Sequence, residues 1–322
     1  MQRRQLIQAM VGTPMAGLFA PALAQHLERA GRTQIIVPFG PGGSGDILAR
    51  LLGQYMTDKA GMTVVVDNKP GASGIIGVEA VRAAPADGRT LLLATTSTYA
   101  ANPSLFKKLP YDPERDFTLV GILAAGGMYL LVRPESPYKS VADLVAAAKA
   151  KPGVINYGHF NASSNVGGAL MGTFAGAQLT AVPYKLIGTA VTDLISGQIE
   201  VLFIDTAAAD SFVTSGQLRA LAGTYSKRLA QQPDVPTLSE TYPGFEVLGF
   251  LGIAVASATP EPVKQALNKV CNDAITVEPM RSRLRSFGST TAAMNLQECA
   301  DFGRSERASW RRYVAAAKIE PQ

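Results

Sequence analysis

The residues with the types and spacing to do chemistry begin at Phe39. Phe39-Gly40-Pro41-Gly42-Gly43-Ser44-Gly45-Asp46 follows the β-branched run Ile35-Ile36-Val37-Pro38 and precedes Ile47, Leu48, Leu51, Leu52, Tyr55 and Met56, apolar positions at helical spacing. A strand, a bare-backbone loop and a helix N-terminus leave main-chain N–H groups without intrahelical partners, at the positive end of a helix dipole. The chemistry this predicts is anion binding. Gly42, Gly43 and Gly45 let backbone approach a ligand closely, and Pro41 stiffens the loop. Asp46 is awkward there, because a carboxylate repels an anion. Helix capping and pairing with Arg50 four residues on account for it better, leaving main-chain amides as the donors.

Further along, Thr96 and Ser97 in the polar stretch 95–98, and Ser163, Ser164 and Asn165 in the stretch 161–165, offer neutral hydrogen-bond donors on loops that follow strands. Such a set suits a carboxylate in a closing cleft. Asp205 ends a strand, where it suits a ligand ammonium or hydroxyl, or else caps a helix. Phe39 either packs over an apolar or aromatic ligand body or plugs a domain interface.

Other chemistries fit less well. Gly40 to Gly45 matches G-x-G-x-x-G between a strand and a helix, and Asp67 ends the next strand about twenty residues later, as a ribose-binding acid would. Against a nicotinamide cofactor and an exported oxidoreductase, Pro38 and Phe39 push the glycines off the strand end, Pro41 removes an amide, and Asp46 would face the pyrophosphate. For a hydrolase there is no G-x-S-x-G elbow, and apart from His26 the chain has only His159. Cys271, Cys299 and these two histidines do not make a zinc site at this spacing, so neither metal nor cofactor is expected. In an oxidising compartment the two cysteines pair or stay separately buried; spacing leaves both open.

Composition sets the compartment and the scale. Arg3 and Arg4 precede the mostly apolar segment from Leu6 to Ala22, and Ala22-Leu23-Ala24 ahead of Gln25 has the small-residue pattern of a signal peptidase site. Residues 1–24 are therefore expected to be a signal peptide, used through ordinary secretion or, on the Arg pair, the twin-arginine route. Their loss takes the formal net charge from +5 to +3, too small an excess to argue for nucleic acid. No later apolar run reaches the ~18 residues of a membrane span. A soluble periplasmic product is expected.

The elements that must position these residues alternate. Strands near 35–37, 63–66 and 90–94 with helices between them predict a parallel α/β sheet, whose ligands sit at the carboxyl ends of strands. Strands at 119–123 and 128–132 are separated by Ala124-Ala125-Gly126-Gly127, a small-residue joint that suits a crossing into a second lobe. Alternation resumes with strands at 154–157, 179–183, 200–204 and 218–222. A proline-rich connection, an apolar strand at 248–256 and helices near 262–275, 280–286 and 296–317 complete the chain. The division expected is 25–125 for the first lobe, 126–225 for the second, and 226–322 for a return to the first with C-terminal helices.

The chain resembles the Bug family, the periplasmic solute receptors of tripartite tricarboxylate transporters, over essentially its whole mature length. The likeness rests on Pro38-Phe39 followed by Gly42-Gly43, Asp46, Ala49 and Arg50, on Asn68-Lys69-Pro70-Gly71-Ala72 with Gly74 and Gly77, and on Asp87-Gly88 with Thr90. It continues through Asn102-Pro103, Leu109-Pro110-Tyr111-Asp112, Asp116-Phe117, Val182-Pro183-Tyr184-Lys185, Gly197-Gln198, Leu218-Arg219-Ala220-Leu221-Ala222 and Pro233-Asp234-Val235-Pro236-Thr237. The resemblance implies an α/β, two-lobed periplasmic-binding-protein (Venus flytrap) fold, each lobe a mainly parallel sheet flanked by helices, closing on a small organic acid. It implies a ligand carboxylate held by main-chain amides of Phe39 to Gly45, with second-lobe loops completing the site. Partners would be transporter membrane subunits or, alternatively, a membrane sensor, and the receptor a monomer that catalyses nothing. Three departures touch ligand identity: Ala162-Ser163-Ser164-Asn165-Val166-Gly167-Gly168 replaces a serine–glycine alternation ending in histidine, Leu186 stands where a glycine is usual, and Phe250 where a tryptophan is common.

Overall fold

The computed structural model describes residues 31–289 and 291–322, so the expected signal peptide, Gln25 and His26 lie outside the described residues. Two five-stranded sheets organise the chain. The first has the order β2-β1-β3-β10-β4, built from β1 (Thr33–Val37), β2 (Val64–Asn68), β3 (Thr90–Thr95), β4 (Phe117–Gly126) and β10 (Gly249–Ala256). The second has the order β7-β6-β8-β5-β9, from β5 (Met128–Val132), β6 (Asn156–His159), β7 (Thr180–Pro183), β8 (Val201–Asp205) and β9 (Arg219–Gly223). In each sheet the first three strands pair in parallel and the fourth in order, β10 or β5, is antiparallel to both neighbours. The two-lobed α/β expectation holds, with one reversed strand per sheet that the alternation did not signal.

Buried aliphatic strands explain the sheets. Ile35, Leu93 and Ala94 of the first and Leu130, Leu131, Val201 and Phe203 of the second have no exposed surface; runs buried on both faces belong to the middle of helix-covered sheets. The helix Ser44–Ala60 turns Leu48, Leu52 and Met56 onto the first sheet and stops at Gly61, whose left-handed backbone (φ 65°) returns an amide to the Met56 carbonyl.

The chain crosses between sheets at two adjacent places. β4 becomes β5 through Gly127, and β9 reaches β10 through residues 224–248. Thr224, fully buried, ties them: its hydroxyl accepts from the Met128 amide (2.8 Å) and donates to the Val247 carbonyl (2.7 Å). A Cβ at Gly127 would stand 2.7 Å from that hydroxyl, so glycine is needed for the close approach. The helix Leu296–Ala316 lies against β4 and the helix Ala162–Ala175, burying Trp310 and Cys299. Cys271 and Cys299 are free, buried thiols. No helix among the described residues is long and apolar enough to cross a membrane.

Candidate functional site

Four strand ends and the helical turns that follow them face one another between the sheets. After β1 comes the glycine loop and the helix Ser44–Ala60; after β3, a π-helical turn at Thr96–Ala101; after β6, the helix Ala162–Ala175; after β8, the helix Thr206–Thr214. They enclose a cavity of about 130 Å³ whose wall includes Phe39, Gly40, Gly43, Ser44, Asp46, Thr96, Ser97, Ser163 and Asp205. Nine of the thirteen residues expected at the site are thus brought together.

The other four lie elsewhere. Pro41 borders a shallow recess at the cleft mouth with Leu186, Gly188, Thr189 and Thr192. The Gly42 amide, at φ 86°, donates to Asp46 Oδ2 (3.1 Å). Ser164 is fully buried and its hydroxyl accepts from the Phe160 and Asn161 amides (3.1 and 3.3 Å), while Asn165 Oδ1 accepts from the Tyr157 hydroxyl (3.2 Å). The stretches 95–98 and 161–165 are corrected from polar loops to cap-and-first-turn segments. The Thr95 and Asn161 side chains each accept from the amide three residues on, and their own amides donate in return to the Thr98 and Ser164 hydroxyls, a reciprocal arrangement that starts a helix.

The caps differ among the four ends. Thr95 and Asn161 close theirs, and Asp205 Oδ1 accepts from the Ala208 amide (3.0 Å). At the helix Ser44–Ala60 the N-cap is Gly43, extended at φ −79° and ψ 168°, with no side-chain cap. Gly43, Ser44, Gly45 and Asp46 line the cavity, and among the described residues no side chain caps this helix start, the kind of end that suits an anion. Asp46 does not spoil it. Burial pushes its carboxyl up, but hydrogen bonds from Arg50, the Gly42 amide and Asn68 outweigh that and leave it below the ordinary value. Arg50 lies against both its oxygens (2.9 and 3.1 Å), so the Asp46 charge is paired within its own helix.

Asp205 differs. Burial pushes its carboxyl up to about 6 against the pull of the Ala208 amide. It accepts from the Ser44 hydroxyl, joining the two lobes across the cavity. A second cross-lobe bond runs from the Ala162 amide to Ser97 Oγ (3.1 Å), and Leu186 packs over Gly40. These contacts describe a closed cleft. Thr96 Oγ1 accepts from the Phe250 amide (2.6 Å), fixing β10 at the floor.

Sequence reading missed Phe160, Asn161, Thr206, Phe287 and Ser289, all on the wall. Asn161 had a signal, being the polar residue three before Ser164. Phe287 and Ser289 had none, because only the fold returns the end of the helix Met280–Ser286 to the crossing strands. Asp67, the would-be ribose ligand, instead accepts from Gln34 (2.8 Å) and pairs with Lys69 (3.0 Å). Among the described residues no group of three or more metal-ligating side chains comes together.

Two lobes whose strand ends and helix starts close on one cavity define a solute-binding protein of the two-lobed type. The chain belongs to the tripartite tricarboxylate transporter receptor family (TctC): the profile described as "Tripartite tricarboxylate transporter family receptor" matches residues 48–319. Among similar proteins, BugT of Bordetella pertussis is 33% identical over 300 residues, 92% of this chain and 91% of BugT. Rpa4515 of R. palustris, solved with adipate, is 30% identical with a TM-score of 0.87, covering 91% of this chain and all of that one. MatC of Rhodopseudomonas palustris, solved with bound malate, is 29% identical with a TM-score of 0.82, covering 88% and 99%. The resemblance to the Bug family, read from sequence, is borne out.

Proposed function

We propose that this receptor works in the periplasm, captures a small organic carboxylate between its lobes, and presents the closed form to the membrane subunits of its transporter, without catalysing a reaction. The observation that carries this reading is the uncapped start of the helix Ser44–Ala60 on the wall of the interlobe cavity, while each of the three facing helical ends carries a side-chain cap. That adipate and malate occupy similar proteins agrees with it. The ligand carboxylate would sit on the amides of Gly43, Ser44 and Gly45, with Thr96, Ser97, Ser163 and Asp205 closing around the rest; Phe39, Gly40, Pro41 and Gly42 shape the loop, and Ser164 and Asn165 support the facing helix. The lobes would divide near 125 and 225, with 226–322 returning to the first. Closure excludes water and strengthens each hydrogen bond to the anion.

Thermal shift against a panel of carboxylates, with NAD and NADP included, tests the proposal. A ligand at a hundred times its dissociation constant stabilises the fold by ~2.7 kcal/mol. A rise with a carboxylate and none with the dinucleotides is expected; a rise with dinucleotides alone would sink the receptor reading.

A further inference from the structure

The cavity wall restricts the chemistry of its occupant beyond the carboxylate. Phe39, Phe160, Phe250 and Phe287 line it, with Leu93 and Leu251 between them. Phe250 and Phe287 form a fixed floor, each 3% exposed, and Phe250 meets Phe302 edge-on at 5.2 Å. Phe39 and Phe160 keep part of their surface open, so an occupant can still cover them.

The ionisable side chains on this wall are Asp46 and Asp205; no lysine, arginine or histidine is among the described residues that form it. Asp46 is matched by Arg50, which stays off the wall. The Asp205 carboxyl accepts from the Ser44 hydroxyl, the Ala208 amide and its own amide, and among the described residues no cation pairs with it. A second carboxylate, or a third, would enter a closed space with no cation and meet an acid there, and a buried charge without a counter-charge is costly. At the facing helix starts Asn161 and Asp205 each take up one first-turn amide, that of Ser164 and that of Ala208, and Asp205 adds an acid beside the remaining ones. Ser163 Oγ and Asn161 Nδ2 make no hydrogen bond among the described residues, and as neutral donors they suit the open side of one carboxylate or a ring hydroxyl. The cavity, about 130 Å³, is close to the roughly 150 Å³ that encloses a benzene ring in an apolar protein interior.

We propose that the solute is an aromatic monocarboxylate of about benzoate size, its carboxylate on the Ser44 helix end and its ring among Phe39, Phe160 and Phe250. This rests on the receptor reading above and narrows it. Rings pack face-to-edge against such walls without needing a polar partner.

Isothermal titration of the chain, freed of carried-over solute by unfolding and refolding, would use benzoate, phenylacetate, adipate and malate. An aromatic acid is expected to bind at least about tenfold more tightly than either dicarboxylate. Phe160→Arg, at a part-exposed position, removes a ring and adds a cation, and should lower benzoate affinity by more than about tenfold while raising that of adipate. Equal or tighter binding of adipate or malate by the natural chain overturns the aromatic assignment and leaves the carboxylate receptor intact. A folded Phe160→Arg chain that binds benzoate unchanged also overturns it. If none of the four acids binds, the aromatic assignment falls, and the carboxylate and dinucleotide panel above decides the receptor reading separately.

Discussion

The two sheets are built on one plan and used differently. Read across, β2-β1-β3-β10-β4 and β7-β6-β8-β5-β9 place the same directions in the same order, so β6 stands where β1 does and β8 where β3 does. At β6 the helix start is closed by Asn161 and Ser164; at β1 the equivalent position is Gly43, which has no side chain to do so. Asparagine satisfies its own helix, whereas glycine leaves the amides for something else. One residue type at matching junctions separates a helix start left without a side-chain cap from one that caps itself.

The largest effect should come from making the first junction like the second. Gly43→Asp fits the backbone, since φ −79° suits any residue and a Cβ there meets nothing within 4 Å. The new carboxylate would cap the helix, a gain of a few tenths of a kcal/mol over glycine. It would also place a negative charge where the ligand's belongs. At about 4 Å and an effective dielectric near 20 that repulsion is roughly 4 kcal/mol, so carboxylate affinity should fall at least about 100-fold while the melting temperature holds or rises. Gly43→Ala should leave affinity within about twofold. Retained affinity in Gly43→Asp would place the anion elsewhere.

Asp205 is the second contrast, an acid on the closing lobe with no arginine to match the Arg50 that serves Asp46. Its folded value near 6 lies above the ordinary 3.8. Between about pH 4 and 6 the folded chain therefore holds a proton that the unfolded chain has released, and stability falls as pH rises through that window. Asp205→Asn keeps a helix cap and an acceptor for Ser44 while removing the charge. The variant should be more stable than the natural chain at pH 7, by something on the order of 2 kcal/mol, and equal to it at pH 4. Equilibrium unfolding at the two pH values measures this, and an unchanged difference would mean that Asp205 titrates normally.

How much of this was legible follows from where each signal lives. The strand, glycine loop and helix at 35–56 can be read directly, because a β-branched run, a glycine cluster and a helical period all point the same way. The reversed strands cannot be: β10 reads as an apolar strand at 248–256, yet its direction is set by how the chain returns from the second lobe. Thr95 and Asn161 were read as loop residues because side chains that hydrogen-bond nearby backbone favour turns and helix caps alike. The strand expected at 154–157 forms at Asn156–His159, leaving Val154 57% exposed; its β-branched side chain marked a strand start that pairing did not use. Asp46, Ser44 and Asp205 were legible as candidates. That one would be neutralised by Arg50 while the other two met across the cleft was a matter of the assembled lobes.

A smaller effect is expected at the cross-lobe bond from the Ala162 amide to Ser97. Ser97→Ala leaves that buried amide without its acceptor, a penalty of about 1–2 kcal/mol in the closed form. In an open cleft water would satisfy it. Ligand affinity should therefore fall by roughly tenfold, with a smaller change in the stability of the ligand-free chain. Equal losses in both would show the bond to be part of the fold and not of closure.

The smallest effect tests the cleft mouth, where the lobes again differ. Leu186 of the second lobe covers Gly40 of the first, and a Cβ on Gly40 would come within 2.6 Å of Leu186 Cδ2. Leu186 is also the N-cap of the helix Ile187–Ser196, which has no side-chain cap. Leu186→Ser separates these roles. The serine hydroxyl can accept from the first turn and stabilise that helix by up to about 1 kcal/mol. The lost leucine, 43% exposed as it stands, gives up about 1 kcal/mol of apolar contact made only when the lobes are closed. The melting temperature should hold or rise while ligand dissociation quickens about threefold to fivefold, with the association rate unchanged, as expected when a contact forms after encounter. Stopped-flow release and a melting curve on the same preparation give both numbers. A fall in both stability and affinity would make Leu186 a core residue of the second lobe; faster release at constant stability would make it the latch that holds the lobes together.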